Sequence, residues 1–124
     1  LLTVLMEQSG HSEEGIERGK RMELSSIKAY LDEHYAEKIV LDDLAERFFI
    51  NKFYMTKIFK ATYGTTIINY LISKRITRAK QLLRFTDLTM DEISIEVGMD
   101  SANYFSRAFH KVEGISPSEY RKQW

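Results

Sequence analysis

Two stretches of this chain carry basic, hydroxyl and aromatic residues in the same order. Tyr54, Thr56, Lys57, Phe59, Gly64 and Tyr70 meet Tyr104, Ser106, Arg107, Phe109, Gly114 and Tyr120 at a constant offset of 50. A Lys or Arg beside a Thr or Ser donates to phosphate oxygens, and an Arg can also fork onto a guanine edge. A repeat that keeps aromatic, glycine and basic positions together implies one supersecondary unit used twice.

The charge pattern points the same way. Lys and Arg total 18 and Asp and Glu 18, a formal balance of zero. Residues 48–86 nevertheless contain no Asp or Glu, while they hold Lys52, Lys57, Lys60, Lys74, Arg75, Arg78, Lys80 and Arg84. Such a span is a local electrostatic footprint that the sum conceals. A solvated, lysine-rich helix face is the plain alternative.

Other chemistries lack their residues. There is no cysteine, hence no disulfide, thiolate or zinc–thiolate site. His11, His34 and His110 are far apart and have no metal-ligand spacing. No nucleophile–base set or phosphate loop stands out, so neither an enzyme nor a bound cofactor or metal is expected. No apolar run approaches the roughly 18 residues a membrane helix needs. Leu1–Met6 is short and lacks a basic leader and a cleavage site.

The elements that position the repeated residues read as helices from Met22 onward, giving an all-α chain of seven. Ile27, Tyr30, Leu31 and Tyr35 share a face of a first helix, about 23–36. A short second helix follows around Leu41–Phe48. Asn51 is a plausible N-cap for a third over 52–63, and Gly64 sits where a left-handed C-cap is wanted. Thr65 or Thr66 caps a long fourth helix to Phe85, with Ile68, Leu71, Ile72, Ala79, Leu82 and Leu83 as its apolar stripe. Thr89 and Glu92 form a capping box for a fifth. Asp100 or Ser101 caps a sixth, which Gly114 ends. Ser116 and Glu119 box a seventh, with Pro117 at its first position.

Each copy therefore pairs a short helix with a longer one across a three- or four-residue turn. That is the helix-turn-helix pattern, whose second helix enters the DNA major groove. The organisation expected is a polar, glycine-punctuated linker over 1–20, the tail of an upstream domain; a first helix-turn-helix subdomain over 21–64; a linker helix over 65–85; and a second subdomain over 86–124. A helix of about 20 residues spans about 30 Å. One turn of B-DNA is about 34 Å, so one chain can place both second helices in successive major grooves.

At this point residues 21–124 resemble the DNA-binding domain of the AraC/XylS family of bacterial transcription regulators. The stretch from Asp91 to Arg121 matches that family's C-terminal signature nearly throughout, and Arg75–Leu83 resembles its linker-helix motif. The resemblance implies two helix-turn-helix subdomains joined by one helix, binding to double-stranded promoter DNA in the cytoplasm, and activation through RNA polymerase. It places base-reading positions on Lys52, Phe53, Thr56 and Lys57 in the first recognition helix, and on Ala102, Asn103, Ser106 and Arg107 in the second. Arg107 suits guanine, Asn103 adenine, and Phe53 or Ala102 a thymine methyl. Tyr54, Lys60, Thr66, Lys74, Tyr104 and Lys111 are the expected phosphate contacts. An effector or phosphorylation signal would enter through the upstream domain.

Four positions depart from the family pattern. Phe49 stands where a glycine is frequent, so the first turn is expected to differ in detail. Ser94 replaces an alanine, Met99 an aromatic, and His110 a lysine. Arg75 is a candidate for either a phosphate contact or an internal ion pair. Two other functions compete. One is the DNA-binding module of an alkylation-response repair protein, whose nucleophilic cysteines this chain lacks. The other is a helical interaction module with no DNA role, against which the acid-free span and the Lys57/Arg107 match argue.

Overall fold

A computed structural model describes residues 24–124; the expected linker over 1–20 lies outside the described residues. Seven helices and no strand occur among those described. They are α1 over 24–34, α2 (Leu41–Arg47), α3 (Lys52–Tyr63), α4 (Ile67–Phe85), α5 (Met90–Glu96), α6 (Ala102–Glu113) and α7 (Pro117–Lys122).

Local chemistry sets most of these boundaries. Side-chain oxygens of Asn51, Thr66, Thr89, Ser101 and Ser116 each accept the backbone N–H three residues on, at the starts of α3 to α7. Thr89–Glu92 and Ser116–Glu119 are reciprocal capping boxes. Gly64 and Gly114 end α3 and α6 in the left-handed conformation, at φ 74° and 81°. Thr66 rather than Thr65, and Ser101 rather than Asp100, are the caps.

Two apolar cores form, and α4 serves both. Leu24, Ile27 and Leu31 of α1 pack with Leu44, Met55 and Phe59 around the N-terminal half of α4, which supplies Ile67 and Leu71. Ile76, Ala79, Leu82 and Leu83 of the same helix pack with Ile93, Val97, Phe105 and Phe109. The expected single stripe on α4 is therefore corrected at Ile68, which is 45% exposed, while Ile67 and Ile76 are buried. The helix turns a different face to each core.

The repeat survives into three dimensions. From 51–70 to 101–120, buried, half-buried and exposed positions recur at the same offset, differing only at Tyr54/Tyr104 and Ile58/Ala108. Phe59 meets Tyr70 edge-on at 5.9 Å, as Phe109 meets Tyr120 at 5.5 Å. Before the turns the offset is one residue shorter. Phe48, Phe49 and Ile50 donate to Leu44, Glu46 and Ala45 as Val97, Gly98 and Met99 donate to Ile93, Ile95 and Ser94. The second turn thus holds one more residue, Asp100, before its cap.

Candidate nucleic-acid interface

The third and sixth helices each bury one side and leave the other open. On α3, Met55 and Phe59 are buried while Phe53, Lys57 and Lys60 lie exposed at helical spacing. On α6, Phe105, Ala108 and Phe109 are buried while Asn103, Arg107 and Lys111 are exposed. Lys52, Thr56, Ala102 and Ser106 border these stripes, half-buried. Each open face thus gathers its four expected base-reading positions with no acidic residue of its own helix among them.

Phe53 is 76% exposed, an apolar ring set among the polar residues of the open face. Lys52 lies 5.1 Å from that ring and pairs with Asp42 at 3.0 Å. The Thr56 hydroxyl donates to the Lys52 carbonyl at 2.8 Å, so what it has left to offer is an acceptor. Lys74 pairs with Asp32 at 3.2 Å. Solvent-exposed pairs of this kind contribute no more than about 1 kcal/mol, so phosphate can displace them.

The remaining expected phosphate contacts divide. Lys60 and Lys111 are exposed. The Thr66 oxygen caps α4 by accepting from the Asn69 N–H at 3.0 Å, with its own hydrogen still available. Tyr104 packs against the second core and is half-buried, with Tyr54 slightly more open. Tyr70 belongs to the structure instead: its hydroxyl donates to Asp32, and burial followed by that carboxylate drives its ionisation well above the ordinary range.

Two arginines do work that no local signal revealed. Among the described residues Arg75 forms no ion pair: its Nε donates to the Tyr35 carbonyl at 2.7 Å and its Nη2 to the Glu37 carbonyl at 3.0 Å. Burial lowers its pKa. Arg121 donates to the carbonyls of Leu83, Leu88 and Thr86 at 3.0, 2.7 and 3.1 Å, fastening α7 to the end of α4. Their partners lie 33 to 40 residues away.

Ser94 explains one departure from the family pattern. It is the single buried polar side chain among the described residues, and it donates to the Asp91 carbonyl at 2.7 Å. Phe49 explains another: it keeps a glycine-like φ of 53° and projects into solvent, 96% exposed. The first turn therefore has a positive-φ residue where the second has Gly98, with a ring added, and reaches its cap one residue sooner. No group of three or more potential metal ligands occurs among the described residues, and no helix there is long and apolar enough to cross a membrane.

Two helix-turn-helix units sharing one helix, each with an open basic face, define a DNA-binding class of fold. The family model for a helix-turn-helix domain matches residues 44–123, and the chain belongs to that family, in its AraC type. It is 38% identical over 101 residues to the uncharacterized HTH-type transcriptional regulator YdiP of Escherichia coli, covering 82% of this chain and 33% of that protein. The match thus spans about a third of the length of that relative, and of the HTH-type regulator YisR of Bacillus subtilis. Among solved structures, the C-terminal domain of AraT, a response regulator from Geobacillus stearothermophilus, superposes with a TM-score of 0.79 at 31% identity, covering 82% of this chain and 85% of that one. The DNA-binding domain of the global transcriptional factor AdpA, solved in complex with a target DNA, gives 0.76 at 27% identity, covering 81% and 90%.

Proposed function

We propose that this chain is the sequence-specific DNA-binding part of a transcription regulator, and that it lays α3 and α6 into successive major grooves on one face of the duplex. The observation that carries this reading is the recurrence, at one offset, of caps, buried positions and open polar stripe in both helices. The 19 residues of α4 span about 28 Å, close to one DNA turn of about 34 Å. Lys52, Phe53, Thr56 and Lys57 read one half-site; Ala102, Asn103, Ser106 and Arg107 read the other. Tyr54, Lys60, Thr66, Lys74, Tyr104 and Lys111 hold the phosphates.

The regulator works in the cytoplasm, most simply as an activator that touches RNA polymerase, with its effector or phosphorylation signal received outside this domain. Relatives described as transcriptional regulators support the regulatory role, and the AdpA domain's complex with DNA supports the DNA binding. Binding-site selection on random duplexes tests the reading. It expects a bipartite motif with halves about one turn apart and affinity falling steeply with salt, by a log–log slope of about 0.9 for each phosphate contact. A salt-independent, sequence-indifferent result contradicts it.

A further inference from the structure

Besides sharing α4, the two units meet directly. The chain leaving α1 passes the turn between α5 and α6 so closely that a β-carbon on Gly98 would lie 2.5, 2.7 and 2.8 Å from the O, C and Cα of Ala36. Backbone rests on backbone here, and only a glycine permits it. Gly98 also has φ 83°, so a side chain there would be strained by the backbone as well as blocked by Ala36.

Arg75 closes the same place. The carbonyls it grips belong to Tyr35 and Glu37, the residues on either side of Ala36. Arg75 also lines the cleft between the units together with Met99, Asp100 and Tyr104. The side chain stands on α4, the helix both cores share, and holds a strap from the first unit against the turn of the second. A lysine has one point charge and no planar fork, so it cannot span both carbonyls in this way.

We propose that Arg75 is a positioning residue for DNA recognition: by holding Ala36 against Gly98 it sets the separation and angle of α3 and α6, and so the spacing of half-sites that the chain accepts. This rests on the reading of α3 and α6 as two recognition helices. A stiff link concentrates the second helix at one distance along the duplex. A loosened link lowers that effective concentration at the best spacing and spreads it over others. Arg75 therefore reads no base and touches no phosphate, yet determines which operators bind well.

The test measures affinity of the whole chain for duplexes carrying the selected half-sites at the selected spacing, with two base pairs inserted or removed, and with one half-site scrambled. The parent loses about tenfold or more on either change of spacing. Arg75→Lys, Arg75→Ala and Gly98→Ala each reduce that penalty to about threefold or less, while affinity for the lone half-site stays at the parent value. Thermal melting identifies which variants are folded at the assay temperature, and Arg75→Lys is the mildest of them.

Three results overturn the proposal. The folded variants can keep the parent's spacing penalty. They can lose lone-half-site affinity as much as full-site affinity, which makes Arg75 a plain structural support. Arg75→Lys can restore what Arg75→Ala loses, which makes it a phosphate contact. A parent with no sequence preference overturns the DNA reading itself, and the clamp with it.

Discussion

Phe49 and Gly98 occupy the same left-handed backbone position in the two turns, at φ 53° and 83°. Each donates its N–H to the carbonyl three residues back, Glu46 and Ile95 respectively. One turn uses the residue suited to that conformation; the other holds an aromatic there, at a strain of about 1–2 kcal/mol.

Exchanging the residues should therefore have opposite effects. Phe49→Gly removes the strain and almost no packing, since the ring is exposed, so stability rises by about 0.5–1 kcal/mol. Gly98→Ala both strains the backbone and drives a methyl into Ala36, and should destabilise by more than about 1 kcal/mol. Urea unfolding of the two variants and the parent measures this. A loss on Phe49→Gly would show that the ring is held by something in the folded chain.

Arg121 fastens the last helix through backbone carbonyls alone. Arg121→Met keeps the apolar stem but leaves the Leu83, Thr86 and Leu88 oxygens without their donor. The expected cost is about 2–4 kcal/mol, borne by the second unit. Trp124 is the chain's one tryptophan and sits 4.0 Å from Arg84 and 6.1 Å from Tyr120. Its fluorescence should report this loss at lower denaturant than far-ultraviolet circular dichroism does. Coincident, unshifted transitions would refute the assignment.

The α5 capping box makes stability depend on acid. The Thr89 backbone N–H, then its hydroxyl, hold the Glu92 carboxylate below its ordinary pKa of 4.5. A group depressed in the folded state contributes stability above its unfolded pKa and loses it as pH falls through the folded value. The parent should therefore weaken below about pH 4.5. Glu92→Gln keeps an acceptor without a titrating charge, and its melting temperature should fall less over the same range. Equal acid slopes in parent and variant would remove Glu92 from the account.

What the sequence reveals depends on how far a signal travels along the chain. Helices α3 and α6 are legible nearly to the residue because Asn51, Ser101, Gly64 and Gly114 act on backbone groups within one turn. The open faces follow from the same periodicity once Phe59 and Phe109 are placed inside. The α4 stripe misleads at Ile68 because one helix feeds two cores in different directions. Arg75 and Arg121 are illegible for another reason: carbonyls are present at every residue, so no side-chain pattern marks the ones, some 35 residues away, that they will grip. The one-residue difference between the turns is hidden by the exact match on their far sides.

Arg107 and Lys57 carry the central claim, that two matched helices read two half-sites about one turn apart. They lie at equivalent exposed positions. An arginine can fork onto guanine O6 and N7, worth about 1–3 kcal/mol of discrimination, while lysine reads less strictly. The most direct measurement is binding-site selection with the parent, Arg107→Ala and Lys57→Ala. Arg107→Ala should erase preference at one base position in one half-site. Lys57→Ala should give a smaller, less sequence-dependent loss in the other half-site, about 10 base pairs away. Uniform weakening by Arg107→Ala with an unchanged motif, or both variants acting in the same half-site, would contradict it.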